Sequence, residues 1–178
     1  MLKKIILFLF IMLLVMNIIG CSDSDATNED STQAVVSVEN EVVESYTYNY
    51  NETVIELNTE AKPILNKLGE EISYFESESC AFPGLDKVFT YPSLEIQTYE
   101  REGIDHILSI NLLDDTIATN EGIRLFDNVS KVKDVYGDDY EEKAGQYIYT
   151  KGNTNLSFLI KDDEVIAIEY AAIIEEME

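Results

Sequence analysis

The chain has 178 residues, with 12 Lys and Arg against 35 Asp and Glu, so its formal net charge is −23 at pH 7. This charge excludes a nucleic-acid-binding protein that depends on neutralising phosphates, because such a ligand would be repelled. Two Cys are too few for a disulfide scaffold, and one His excludes a His-rich metal site. The length and the hydrophobic fraction of 46% suit one globular domain of moderate size.

The first twenty residues have the layout of a secretory signal peptide. Lys3 and Lys4 precede an apolar run over residues 5–16, and the small residue Gly20 lies just before Cys21. The run is shorter than the roughly 20 apolar residues that a membrane-spanning helix needs. The pattern therefore predicts a cleaved signal peptide over residues 1–20, with an uncleaved signal anchor as the alternative.

The end of this segment, Ile18-Ile19-Gly20-Cys21, resembles the lipobox of bacterial lipoproteins. The resemblance implies that Cys21 is lipidated and becomes the first residue of the mature protein, on the extracytoplasmic face of the cell membrane. Two or three acyl chains give a stable anchor in the lipid bilayer. Cleavage removes two basic residues and no acidic one, which leaves 158 residues with a charge of −25. Such a chain is repelled by anionic membranes, so the lipid alone must hold it there.

Residues 21–44 are predicted to form a disordered acidic linker after the lipidated cysteine. The segment contains no aromatic residue and therefore cannot bury enough surface to order itself. It has no basic residue and seven acidic residues, which repel one another and extend the chain. The acidic residues are Asp23, Asp25, Glu29, Asp30, Glu39, Glu41 and Glu44.

Residues 45–178 contain an internal repeat. The segment 57–69 aligns without gaps on the segment 125–137, at an offset of 68 residues. Each copy predicts a short helix, with Thr59 or Asp127 as its N-cap and Gly69 or Gly137 just after its last turn. The apolar positions lie on one face of each predicted helix. They are Ala61, Ile64, Leu65 and Leu68 in the first copy and Val129, Val132 and Tyr136 in the second.

Runs that are typical of strands follow each helix. They cover residues 87–91, 94–99 and 107–112 in the first copy and 146–150, 154–160 and 165–172 in the second. We predict an α+β fold, with two tandem units of a helix plus a three-strand antiparallel meander, at about 52–112 and 122–173. The units share one layer of sheet, and the helices cover it. The last strands are offset by 58 residues, so the first copy is ten residues longer between helix and sheet.

This order of elements resembles the tandem helix-plus-sheet architecture of the secreted beta-lactamase inhibitor proteins and of the SmpA/OmlA group of small outer-membrane lipoproteins. The segment from Gly122 to Gly137 is similar to a recurring unit of many lipoproteins of Gram-positive bacteria. The resemblance implies a fold and a place in the cell envelope. The contact residues of the inhibitors have no counterparts in this chain.

The segment from Glu76 to Lys87 contains the ten extra residues of the first copy and is predicted to be a recognition loop. Its candidate binding residues are Cys80, Phe82, Pro83 and Gly84, with neighbouring Tyr91. A loop that merely caps the core is the alternative.

Cys80 also allows a thiol-dependent enzyme or a redox sensor, since lipidation of Cys21 leaves it without a disulfide partner. A nucleophilic cysteine needs a base, and His106 is the only histidine. The plain alternatives are a buried, inert Cys80 that packs beside Phe82 and Leu85, and a solvated His106 at the start of a strand.

Clusters of carboxylates in predicted turns raise the possibility of a cation-binding or structural envelope module. They are Asp114-Asp115, Asp138-Asp139 with Glu141-Glu142, and Asp162-Asp163-Glu164. None has the spacing of an EF-hand, and charged turns are normally solvated, so we predict no metal.

Three alternating tyrosines, Tyr46, Tyr48 and Tyr50, lie on one face of a predicted strand. Such a row can stack on sugars or bind a protein, and its alternative role is packing across strands. Tyr91, Tyr99 and Tyr147 add further rings on other predicted strands.

The chain has no Gly-rich phosphate loop, Gly-x-Ser-x-Gly, Ser-x-x-Lys, His-Glu-x-x-His or Cys-x-x-Cys motif. We therefore predict no catalytic residue and no cofactor. The sequence favours a non-catalytic, membrane-anchored lipoprotein that binds another envelope or secreted protein.

Overall fold

The computed structural model describes residues 44–174. The predicted signal peptide, Cys21 and the linker up to residue 43 lie outside this range. In chain order the elements are β1 (Thr47–Tyr50), β2 (Thr53–Glu56), α1 (Ala61–Leu68), β3 (Ser73–Glu78), β4 (Leu85–Thr90), β5 (Leu94–Arg101), β6 (Ile104–Leu112), α2 (Val129–Tyr136), β7 (Glu141–Lys143), β8 (Gln146–Lys151), β9 (Thr154–Lys161) and β10 (Glu164–Ala172). No helix in this part of the chain is long and apolar enough to cross a membrane.

Eight strands form one antiparallel sheet in the order β3-β4-β5-β6-β10-β9-β8-β7, and β1 pairs with β2 in a separate hairpin. Each half of the sheet is a meander of four consecutive strands. The halves meet where β6 pairs with β10, from Leu112 opposite Ile168 to Ser109 opposite Ala171. As a result, β3 and β7 form the two outer edges.

The predicted fold class is wrong. Strands take up 50% of the described residues and helices only 12%, so the domain is mostly β, with one eight-stranded sheet. Each helix has eight residues and is about 12 Å long, whereas the seven spacings between eight strands span about 34 Å. The helices are therefore too short to cover the sheet, and each meander has four strands instead of three.

The core lies on one face of the sheet. A cross-strand row runs from Leu94 through Leu112 and Ile168 to Phe158, and all four side chains are at most 4% exposed. The layer over this face comes from both helices, the β1–β2 hairpin and the connection between β6 and α2. Its buried members are Tyr48, Tyr50, Ile55, Leu57, Ala61, Ile64, Ile123, Leu125 and Val132.

The β1–β2 hairpin brings two of the three alternating tyrosines into the core. Tyr48 is 2% exposed, its ring centroid lies 5.3 Å from that of Tyr170, and Tyr50 is also buried. Neither ring is available to stack on a sugar. The core therefore includes residues before position 52, where the first predicted unit begins.

The two halves make equivalent hydrogen bonds ahead of their helices. The amide of Asn58 donates to the carbonyl of Ile107, and the amide of Phe126 donates to the carbonyl of Val165, both at 2.8 Å. Asn58 and Phe126 both have positive φ, 58° and 68°. The donors are 68 residues apart and the acceptors 58, the same offsets as in the sequence repeat.

Both helices begin one residue later than the predicted caps imply. The N-caps are Glu60 and Asn128, and only Asn128 caps with its side chain, which accepts from the amide of Ser130. The carbonyls of Thr59 and Asp127 instead accept from the amides of Ile107 and Val165 in the sheet. At the other end of each helix, Gly69 and Gly137 have positive φ and donate to Leu65 and Lys133.

Candidate protein-binding edge

The ten extra residues of the first half lengthen a hairpin. In the second half, β7 and β8 are joined by the two-residue turn Ala144-Gly145. In the first half, the corresponding strands continue to pair from Ser73 opposite Thr90 to Glu78 opposite Leu85. The predicted loop from Glu76 to Lys87 is thus the end of β3, a connection over residues 79–84 and the start of β4. We call β3, the connection and β4 (residues 73–90) the long hairpin.

The tip of the long hairpin is fixed in place against β5. The hydroxyl of Ser79 accepts hydrogen bonds from the amides of Ala81 and Phe82, and the ring of Phe82 lies 4.7 Å from that of Tyr99. Gly84 has φ of 95°, and a Cβ there would lie 2.7 Å from Cδ of Glu100. The tip therefore needs glycine at this position both for its backbone and for its contact with β5.

The predicted binding residues do not lie together on one surface. Cys80 and Pro83 are exposed at the tip, whereas Phe82 is half-buried against β5. Tyr91 is 3% exposed and belongs to the core. Tyr91 therefore cannot contact a partner unless the core opens.

Cys80 and His106 do not form a nucleophile–base pair. The interpretation of Cys80 as a buried residue is wrong, because the residue is exposed. Nδ1 of His106 donates to the carbonyl of Ile104 at 2.9 Å, and Nε2 lies 3.3 Å from Nη2 of Arg101. Because a carbonyl only accepts, Nδ1 carries the hydrogen and Nε2 accepts from Arg101. Both ring nitrogens thus face groups other than Cys80, and no hydrogen bond joins Cys80 to His106 in the described part of the chain.

The carboxylate clusters shape turns. Asp162 and Asp163 have positive φ in the turn between β9 and β10. Asp114 accepts from the amide of Thr116 at 2.8 Å, and the hydrogen bonds from Thr116 lower the pKa of Asp114. Within residues 44–174, no group of three or more His, Cys, Asp or Glu is placed to hold a metal ion.

The face of the sheet opposite the core carries a polar row across its centre. Asn111 of β6 lies opposite Glu95 of β5 on one side and opposite Glu169 of β10 on the other. Burial raises the pKa of Glu169, against a smaller opposite effect of the Ser109 hydroxyl. Because that hydroxyl has no hydrogen-bond partner within 3.5 Å, burial determines the direction of the shift.

Strand β3 differs from every long strand of the sheet because all six of its residues are exposed. Tyr74 and Phe75 point to opposite faces and are 45% and 62% exposed, and the preceding Ile72 is 69% exposed. The ring of Tyr74 lies 5.1 Å from that of Phe89, on the core side of the sheet. Alternation of apolar and polar residues in a sequence indicates a strand that has one buried face. Strand β3 has no buried face, so its residues do not alternate in this way and the sequence predicts no strand there.

The outer side of β3 presents unpaired backbone groups. The amide of Ser79 donates to Gly84, and that of Tyr91 donates to Leu94. In an antiparallel pair, every second residue of a strand bonds to its neighbour strand. Because Ser79 bonds to Gly84 and Tyr91 to Leu94, the registers of the hairpin place the odd-numbered residues of β3 in hydrogen bonds with β4. The even-numbered residues Tyr74, Glu76 and Glu78 therefore direct their amides and carbonyls away from the sheet.

The opposite edge of the sheet is protected. Strand β7 has three residues, Glu141, Glu142 and Lys143, and all are charged. Short length and charge are two devices by which proteins prevent strand pairing at an edge. The sheet thus has one long edge with apolar side chains and one short, charged edge.

The long edge is acidic. The described residues form three ion pairs, and none includes Glu76 or Glu78. Lys87, which lies opposite Glu76, instead pairs with Asp105 at 2.7 Å. The hydroxyl of Tyr74 donates to Glu76, and this bond raises the pKa of Tyr74 to about 12. The two carboxylates are therefore available to attract a cationic group.

No protein-family model matches the chain, and comparisons with curated proteins and with solved structures find no match either.

Proposed function

We propose that this protein is a membrane-anchored extracytoplasmic lipoprotein whose folded part is a non-catalytic protein-binding module. The lipobox-like sequence ending at Cys21 supports the anchor. The observation that carries the binding role is the difference between the two sheet edges. Strand β3 has six exposed residues with Tyr74 and Phe75 among them, whereas β7 has three charged residues.

An exposed edge strand that carries aromatic side chains is a hazard, because it invites aggregation unless a partner covers it. Negative charge at Glu76 and Glu78 discourages pairing between copies of the chain. The same charge leaves the edge open to a protein of opposite charge. This combination favours a binding role for the long edge.

Substitution Cys21→Ser tests the anchor. The variant lacks the thiol that receives the diacylglyceryl group, so we expect the protein to appear in the medium or to accumulate as an unprocessed precursor. Detergent-phase partitioning and precursor size are the measurements. A variant that is processed and partitions like the unchanged protein would contradict the lipid anchor.

Photo-crosslinking in the native envelope tests the binding role. A photoreactive amino acid at Phe75 is expected to capture a partner protein, because that side chain is 62% exposed on the long edge. The matched control carries the same group at Glu142, on the short edge. Adducts are identified by mass spectrometry. Equal capture from both positions, or no adduct from Phe75, would contradict the proposal.

A further inference from the structure

We infer that β3 binds a partner by strand addition, and that the partner strand carries basic residues at alternate positions with apolar residues between them. This inference rests on the proposed protein-binding function and specifies its mode and the chemistry of the partner. It is carried by the geometry of the long edge.

The backbone of β3 supplies the first part of the recognition. Tyr74, Glu76 and Glu78 offer three amides and three carbonyls on the outer side of the sheet. A partner segment in extended conformation satisfies these groups by becoming a ninth strand. Such bonds provide affinity for any extended backbone, so the choice of partner depends on the side chains.

The two faces of β3 select different side chains. Tyr74, Glu76 and Glu78 share the core side, whereas Ser73, Phe75 and Ser77 share the other side. Residues of an added strand that lie beside the first set face two carboxylates, which favour Lys or Arg. Residues beside the second set face the ring of Phe75, which favours an apolar side chain.

Charge disfavours a second copy of the chain as the occupant. When two β3 strands pair in antiparallel orientation with Glu76 opposite Glu76, Tyr74 lies opposite Glu78. The first contact places like charges side by side, and each chain carries a net charge of −23. Residues 21–44 are disfavoured for the same reason, since they contain seven acids and no base.

The test uses the full chain purified in detergent and a terminally blocked peptide, Lys-Val-Lys-Val-Lys-Val, as the probe. We expect the peptide to slow hydrogen–deuterium exchange at residues 73–78 and to leave residues 141–143 unchanged. The peptide Lys-Lys-Lys-Val-Val-Val has the same composition without alternation and is expected to bind at least about tenfold more weakly. Equal binding of the two peptides would overturn the inference.

Proline substitution at Glu76 tests the outward backbone groups, and Glu76→Gln is the control for the carboxylate lost with it. The variant Glu76→Pro removes one outward amide and none of the bonds to β4, so it is expected to weaken peptide binding at least about tenfold. The matched control is Glu142→Pro on β7. Lys143 and Gln146 bond to each other across the two-residue turn, so the amide of Glu142 also points outward. This control is expected to bind the peptide like the unchanged chain.

A second variant keeps the test decisive if Glu76→Pro fails to fold. Glu76→Lys combined with Glu78→Lys retains every backbone group and is expected to prefer Glu-Val-Glu-Val-Glu-Val over the basic peptide. Unchanged preference would overturn the inference, and so would self-association that protects residues 73–78 without any peptide. Capture from Phe75 in the envelope alongside such results would leave the binding role intact and refute only the strand-addition mode. Absence of capture would refute the binding role itself.

Discussion

Substitution Ile168→Ala is expected to lower the free energy of unfolding by about 2 to 5 kcal/mol. Ile168 is 1% exposed and lies at the junction of the two half-sheets, opposite Leu112 on one side and Phe158 on the other. Removing its side chain leaves a cavity that neighbours from two separate strands border. Because the sheet backbone fixes these strands, the cavity cannot close easily.

Ile166→Ala is the matched control, since Ile166 is on the same strand and is 39% exposed. The same chemical change there is expected to cost less than about 1 kcal/mol. Urea denaturation of both variants, with unchanged dependence on denaturant, gives the comparison. Equal losses at the two positions would mean that Ile168 is not buried as described. Leu68, which is only half-buried, is expected to fall between them.

The second large effect expected is a steep loss of stability above about pH 10, driven by buried tyrosines. Burial raises the pKa of Tyr48 and Tyr149 to about 12, and it raises the pKa of Tyr170 as well. In the unfolded chain these hydroxyls ionise near pH 10. Above that pH the folded protein holds protons that the unfolded chain has lost, so stability falls as pH rises. Below pH 10 both states are protonated, and the contribution is fully present.

Each such tyrosine lowers the free energy of unfolding by about 1.4 kcal/mol per pH unit between pH 10 and its folded pKa. Three together give about 4 kcal/mol per unit, which is large beside the 5 to 15 kcal/mol that is typical of a domain. Denaturant melts between pH 9 and pH 12, with tyrosinate absorbance as a second signal, measure the slope. Tyr48→Phe removes one of these hydroxyls, so the loss of unfolding free energy per pH unit is expected to be smaller by about 1.4 kcal/mol. An unchanged slope would show that Tyr48 ionises freely in the folded state.

The central strands of the sheet could be predicted from the sequence because each buries one face. Leu156 and Phe158 alternate with half-buried or small residues along β9, and Ile168 and Tyr170 do the same along β10. The helix ends could also be predicted, since Gly69 and Gly137 lie where positive φ is needed. In both cases a local property of the sequence determines the local structure.

The outer strands could not be predicted in this way. All residues of β3 and β7 are exposed, so no side chain along them reports which face is inward. The difference of ten residues between the two offsets indicates an insertion in the first half, and the apolar and turn-forming residues of that insertion favour a recognition loop. Only the pairing of Ser73–Glu78 with Leu85–Thr90 shows that it is a strand edge. Tyr91 directly follows the long hairpin in the sequence, which indicates a neighbour of the loop, whereas its 3% exposure results from packing against the core.

The pairing of β6 with β10 has the symmetry of a two-fold dimer interface. Leu112 lies opposite Ile168 and Ile110 opposite Tyr170, and the offset of 58 residues exchanges one pair with the other. A perfectly two-fold assembly would have two identical outer edges, and open edges at both ends would allow growth into a filament. The long hairpin breaks this equivalence, because only β3 is left open while β7 is short and charged. If β3 takes an added strand as we propose, only this edge of the sheet does so, and one partner strand is expected in contact with each chain.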